Sequence, residues 1–254
     1  MKNLYYLCFV VIIIVFSGCD RYSEIKKEAD RLNSYCPITY DCGSVTNVMF
    51  KDGMLMYKLL INEEQGITVG SLYNHPEIFK IMLGLGDKES LKLLVKEQIP
   101  ICYIYRGDTS QETHSHIITP KDMEEIINKK ISQRDLVREF LACNVDVINE
   151  TLPQEIERGV ILKNVEQKED SIIYTASLDE DLYDVIVFDK IKSELKNGIL
   201  SNLSQTKSNR RFLRQLIECN MNLIYRYCGD VTGTTINVVI GGKDMKESFG
   251  KSMY

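Results

Sequence analysis

The 254-residue chain is 44% hydrophobic and 26% charged, enough apolar material for a folded core and unlike a disordered chain. A net charge of −5 excludes the broad basic footprint of a nucleic-acid binder, so no nucleic acid is expected as a partner. With no tryptophan and three histidines, little is available for histidine-rich catalysis or a multi-histidine metal cage, and no cofactor is expected.

The chain opens on Met1-Lys2-Asn3 and runs into an unbroken apolar or aromatic stretch, Leu4 to Phe16. That stretch falls short of the ~20 residues a helix needs to span a bilayer and has the length of a signal-peptide hydrophobic region. Phe16-Ser17-Gly18-Cys19 follows. It resembles the lipobox of bacterial lipoproteins, with Phe16 in place of the family's leucine. The resemblance implies a signal peptide over 1–18, cleavage after Gly18, and acylation of Cys19 by palmitate-type chains. Several buried acyl chains at ~0.8 kcal/mol per CH₂ hold such an anchor in the membrane. Residues 19–21 then form a short tether. Asp20 resembles an inner-membrane retention signal, but either membrane remains open.

Beyond the tether the pattern alternates between helical and strand periodicities. Tyr22 to Ser34 predicts an amphipathic helix ended by Cys36-Pro37. Val45–Phe50 and Met54–Ile61 read as strands joined across Lys51-Asp52-Gly53, a hairpin signal. His75 to Gln98 is helical in two pieces broken at Gly84 and Gly86, and Ile101–Tyr105 and Thr113–Thr119 form a second hairpin across Gly107-Asp108. Thr119-Pro120 is an N-cap followed by proline, launching a helix over 120–130. The same order recurs with a helix over 133–149, strands near 159–165 and 171–177, helices across 184–219, and strands over 222–228 and 234–240.

This recurrence is visible in the residues themselves. Ile101 to Asp108 matches Leu223 to Asp230 at an offset of 122, which also pairs Lys121-Asp122-Met123 with Lys243-Asp244-Met245. Upstream, Leu32-Asn33 and Pro37 answer Ile148-Asn149 and Pro153 at 116; Asn47, Val48 and Tyr57 answer Asn164, Val165 and Tyr174 at 117. The expectation is an α+β protein of two tandem repeats, 22–130 and 131–254. Each repeat is helix-strand-strand-helix-strand-strand with an antiparallel sheet.

The duplication also weighs the chemistry. His114 and His116 share one face of a strand and are weak metal candidates, because their counterparts are Ile236 and Val238 and zinc needs further ligands. Cys8 leaves with the signal and Cys19 takes the lipid. Cys36, Cys42, Cys102, Cys143, Cys219 and Cys228 remain, with many pairings open. Cys36 with Cys102, and Cys219 with Cys228, are the disulfides considered, against buried free thiols. No cysteine is shared by both repeats, and the residues offer no catalytic constellation. What the repeats share is Tyr103/Tyr225, Tyr105/Tyr227, Gly107/Gly229, Asp108/Asp230 and Lys121-Asp122/Lys243-Asp244. Gly-Asp reads as turn chemistry and Lys-Asp as capping. The tyrosines are either cross-strand packing or, if a binding surface exists, its best representatives.

Asn33-x-x-Cys36-Pro37 followed by Tyr103-x-Tyr105 is similar to patterns in bacterial envelope lipoproteins of unknown function. The resemblance implies an envelope location facing the periplasm or cell exterior, with the lipid bilayer as one partner through Cys19. The leading expectation is a non-catalytic binding or interaction protein whose second partner is another envelope protein, as in an inhibitor or immunity-type protein. The alternatives are a periplasmic hydrolase with a site where the repeats meet and a structural envelope component. Enzyme status stays undecided.

Overall fold

In the computed structural model the description covers residues 21–40, 43–65, 67–205 and 207–248. The signal peptide, Cys19 and Cys42 lie outside the described residues. Helix α1 (Arg21–Asn33) buries Ile25, Ala29 and Leu32, spaced to share one face. Strands β1 (Ile38–Tyr40), β2 (Gly43–Lys51) and β3 (Met54–Ile61) follow. The β2–β3 turn is made by Asp52 and Gly53, both with positive φ, as a two-residue primed turn requires. A single 3₁₀ turn, Glu63–Gln65, and helices α2 (Val69–Asn74), α3 (Glu77–Gly84) and α4 (Lys88–Lys96) lead to β4 (Ile101–Gly107). Strand β5 (Thr113–Ile118) and helix α5 (Pro120–Asn128) complete this order.

The second pass has helix α6 (Gln133–Asn149), strands β6 (Gln154–Glu157), β7 (Val160–Gln167) and β8 (Ser171–Leu178), and helices α7 (Val185–Lys190), α8 (Lys192–Leu203) and α9 (Lys207–Glu218). Strands β9 (Asn222–Gly229) and β10 (Thr235–Ile240) and helix α10 (Gly242–Ser248) end it. Backbone contacts divide the chain into two compact units, with the boundary between Asn144 and Val145 inside α6.

Each unit carries a five-stranded sheet, ordered β1-β2-β3-β4-β5 in one and β10-β9-β8-β7-β6 in the other. The mixed α+β architecture and the similar halves fit the expected duplication. The sheets are mixed rather than wholly antiparallel, because β3 runs parallel to β4 and β8 parallel to β9. Both pairs are joined through helices instead of a tight turn, and only such a crossover returns the chain in the same direction. The short outer strands β1 and β6 also escape the sequence pattern, being too brief to show alternation.

Finer details repeat as well. A bulge interrupts β2 between Val45 and Asn47, and another interrupts β7 between Leu162 and Asn164. The last residue of the preceding helix reaches each one. Asn33 Oδ1 accepts from Val48 N at 3.1 Å, and Asn149 Oδ1 accepts from Val165 N at 2.9 Å. Asn149 Nδ2 also donates to Val165 O at 2.7 Å. The shared Leu/Ile-Asn step is therefore a buried apolar residue followed by a strand-binding amide. Both Cys36–Pro37 and Leu152–Pro153 peptide bonds are cis.

Candidate functional site

The tyrosines belong to the core. On β3 and β4, Leu55, Tyr57, Leu59 and Ile61 lie beside Ile101, Tyr103 and Tyr105 in register, and all are buried. Tyr57 stacks on Tyr103 with ring centroids 5.4 Å apart, and Phe79 of α3 covers Tyr103 at 4.9 Å and Tyr105 at 5.4 Å. In the other unit Tyr174 stacks on Tyr225 at 5.2 Å, and Tyr227 is buried too. The reading of Tyr103, Tyr105, Tyr225 and Tyr227 as a contact surface is therefore corrected. They do share one face of their strands, but it is the face buried beneath helices. Burial pushes the Tyr105 hydroxyl up to about 12, with Tyr73 adding to the shift, and raises Tyr57 and Tyr103 as well.

The shared Gly-Asp step has a specific partner in each unit. Asp108 Oδ1 accepts from Glu63 N at 3.1 Å, while the Glu63 carboxylate accepts from Ser110 N at 2.7 Å and from the Ser110 hydroxyl at 2.9 Å. Asp230 Oδ1 likewise accepts from Glu180 N at 3.1 Å, and the Glu180 carboxylate accepts from Val231 N, Thr232 N and the Thr232 hydroxyl. These reciprocal clamps tie the end of β3 to the β4–β5 turn and the end of β8 to the β9–β10 turn. Partial burial opposes ionisation of Glu63, but the donors of Ser110, Val69 and Thr109 outweigh it and hold its carboxyl below the usual range. The hydroxyl and amide of Thr232 do the same for Glu180. Glycine is needed beside each carboxylate: a Cβ on Gly107 would lie 2.5 Å from Glu63 Oε2, and one on Gly229 would lie 2.4 Å from Glu180 Oε1.

The Lys-Asp step caps its helix in both units. Asp122 accepts from Thr119 N at 2.9 Å in a capping box, and Asp244 accepts from Gly241 N at 2.8 Å. Each also pairs with a lysine, Lys80 with Asp122 and Lys196 with Asp244. The Lys80 ammonium, then Thr119, hold Asp122 down at about 2.

The disulfides considered do not form: Cys36, Cys102, Cys143, Cys219 and Cys228 are free thiols. Cys36 sits at the end of α1, its thiol 3.7 Å from Leu32 O and against the backbone of Ile38 and Val48. Cys102 lies two strands away on β4, roughly 10 Å across the sheet. Cys219 is buried at the end of α9, whereas Cys228 is at the far end of β9, where it meets Thr235. A strand advance of six residues is about 20 Å, far beyond disulfide reach.

His114 and His116 prove to be aromatic neighbours. His114 packs on Tyr73 with centroids 4.5 Å apart, and His116 stacks on Phe79 at 5.6 Å. Burial lowers the pKa of His116, and the nearby Lys80 charge lowers it further against the opposing pull of Asp122 and Glu77. The third histidine has different company. Among the described residues, His75, Glu77 and Cys143 place ligand-capable atoms within 4.8 Å of one another. His75 ends α2, Glu77 begins α3, and Cys143 comes from α6. The sequence separation of 66 residues between Glu77 and Cys143 hid this trio.

The opposite faces of the sheets are exposed toward one edge, although Cys102 and Ile173 on them are buried. Three in-register rows run across β3, β4 and β5: Met56–Cys102–Ile117, Lys58–Ile104–Ser115 and Leu60–Arg106–Thr113. Ile117 is 48% exposed and Leu60 36%. On β8, β9 and β10 the matching first row is Ile173–Ile224–Val239, with Val239 47% exposed. An apolar row ending on an exposed edge residue is thus repeated in both sheets.

No protein-family model matches the chain, and no curated protein matches it. A solved structure of a "putative secreted protein" from Pseudomonas aeruginosa is similar at a TM-score of 0.37 and 11% identity, over 45% of this chain and 98% of that one. A likeness at that level carries no argument about function. No helix among the described residues is long and apolar enough to cross a membrane.

Proposed function

We propose that the chain is a membrane-tethered, non-catalytic binding lipoprotein of the bacterial envelope, facing the periplasm or cell exterior and engaging another envelope protein. The lipobox Phe16-Ser17-Gly18-Cys19 supports the tether. The observation carrying the binding role is the exposed edge residue that ends the same apolar row in both sheets, Ile117 at 48% exposure and Val239 at 47%, while Cys102 and Ile173 of those rows are buried. Outer faces serving only solubility are polar, whereas these keep β-branched residues half exposed on edge strands. Nearby Lys58 and Arg106, both exposed, give the first row a basic margin, so the partner surface is apolar with acidic groups around it. An inhibitor or immunity-type partnership fits this arrangement.

A photo-crosslinking residue at Ile117 or Val239, in cells of the native host, tests it. A discrete protein adduct is expected from these positions, absent when the probe sits at exposed Glu124 and lost at Ile117 when Leu60 is changed to glutamate. Cys19→Ala is expected to release the protein from membranes and to lack the lipid mass. Adducts equally abundant from Glu124, or an unlipidated wild-type chain in the soluble fraction, overturn the reading.

A further inference from the structure

His75, Glu77 and Cys143 offer one imidazole, one carboxylate and one thiol, and they converge without belonging to any of the duplicated features. At the offset of 116 that relates Lys80 to Lys196, the counterparts of His75 and Glu77 are Ile191 and Ser193, neither of which repeats the donor set. Among the described residues the trio is a feature of one unit alone, and its three members all fall within residues 7–144.

The local chain holds the donors in place. Pro76, with φ of −65°, stands between His75 and the first turn of α3 and fixes their relative direction. Glu77 is the first residue of that helix, where the exposed N–H groups favour a carboxylate. Cys143 is 5% exposed, with its thiol donating to Glu77 Oε1 at 3.7 Å, and His75 Nδ1 lies 3.2 Å from the same oxygen. In a tetrahedral zinc site with bonds of about 2.0–2.3 Å, ligand atoms stand roughly 3.3–3.8 Å apart. Two of the three separations are therefore already at or near coordination distance. The third, from His75 Nδ1 to the Cys143 thiol, lies within 4.8 Å and closes by rotation of the partly buried His75 side chain.

We propose that His75 Nδ1, the Glu77 carboxylate and the Cys143 thiolate bind one borderline-soft divalent cation of the zinc type, with the fourth position taken by water. Nitrogen and sulfur donors exclude calcium and magnesium, which take oxygen ligands. Binding converts the Cys143 thiol to thiolate, its proton passing to the buffer, while His75 keeps its proton on Nε2. The ion would join α6 to the α2–α3 corner within that unit.

The test uses the full chain in detergent, titrated with Co²⁺ alone and then with Zn²⁺ against a chromophoric chelator. One equivalent of Co²⁺ is expected to release one proton and to give tetrahedral d–d bands with a thiolate charge-transfer band, which Zn²⁺ then bleaches by displacement with no further proton release. Glu77→Gln and Cys143→Ser are each expected to weaken Zn²⁺ binding by about 100-fold, and Cys143→Ser to abolish the charge-transfer band. Cys228→Ser, outside the trio, is expected to leave both unchanged. Glu77 is exposed, so its variant remains informative even if the change at buried Cys143 impairs folding. Absence of stoichiometric binding, or unaltered affinity in Glu77→Gln, overturns the proposal.

Discussion

Replacing Gly107 by alanine isolates the clamp at the end of β3. A Cβ there falls 2.4 Å from Ser110 Oγ and 2.5 Å from Glu63 Cδ and Oε2, and Gly107 lacks the left-handed φ that would add backbone strain. The carboxylate must therefore leave, surrendering contacts to Ser110 N at 2.7 Å, the Ser110 hydroxyl at 2.9 Å and Val69 N at 3.3 Å. Hydrogen bonds to a charged group contribute about 1.5–3 kcal/mol each where sheltered. Water replaces much of that at this half-exposed site, which leaves about 2 kcal/mol for the clamp. With a urea m-value of about 1–3 kcal/mol/M, the unfolding midpoint falls by about 1 M. Glu63→Ala is expected to cause a similar loss, and Gly107→Ala to add little in that background. Gly70→Ala, in α2 with Thr68 Oγ1 at 3.7 Å, is the control expected to hold or gain stability. The clamp also predicts a pH dependence. Glu63 is depressed below its ordinary 4.5, so its contribution is complete above that value and disappears as pH falls through the folded-state pKa. Gly107→Ala should flatten this acid-side loss. Additive single and double variants, or a Gly107→Ala midpoint equal to wild type, would refute the reasoning.

Two further outcomes follow from the same geometry. Asp122→Ala removes the reciprocal half of the α5 capping box and the Lys80 pair, and is expected to cost about 1 kcal/mol in chemical denaturation. Because Asp122 is held at about 2, that contribution is complete above its ordinary 3.8 and is lost only as pH falls through about 2, a window in which Asp122→Ala should show no corresponding loss. Non-reducing peptide mapping is expected to recover Cys36, Cys102, Cys219 and Cys228 as unlinked thiols; a Cys36–Cys102 or Cys219–Cys228 linked peptide would contradict the arrangement of the strands.

Much of the fold was legible because its signals are local. Asp52-Gly53, Thr119-Pro120 and the two-residue alternation of Met54–Ile61 each specify their own conformation. The β3–β4 direction was harder to read, since parallel pairing depends on where the helices between residues 62 and 100 return the chain, not on any residue within the strands. The tyrosines illustrate the same limit. Spacing places Tyr103 and Tyr105 on one face, but only the position of Phe79 shows that face to be covered. Cys143 reaches Glu77 through tertiary packing alone, so no spacing rule could join them.

The duplication carried more information than its most obvious matches. Glu63 and Glu180 stand at the same offset of 117 as Tyr57 and Tyr174, yet single glutamates among 36 acidic residues draw no notice. Their role emerges once Gly107 and Gly229 are seen to leave room for a carboxylate, which explains why glycine precedes aspartate in both copies. What the units hold in common is thus chiefly the means of closing each sheet: the asparagine at the bulge, the Glu–Asp clamp at the strand end and the Lys–Asp pair at the cap. Residues serving those ends are accounted for by folding. The exposed pair Ile117 and Val239 is different, because neither is needed to close a turn or fill the core and both would be better replaced by a polar side chain for solubility alone. The His75–Glu77–Cys143 trio differs in the opposite sense, having no duplicate and no part in the common framework. An exposed edge residue kept in both copies and a cluster present in one are therefore the two features that the common framework does not explain.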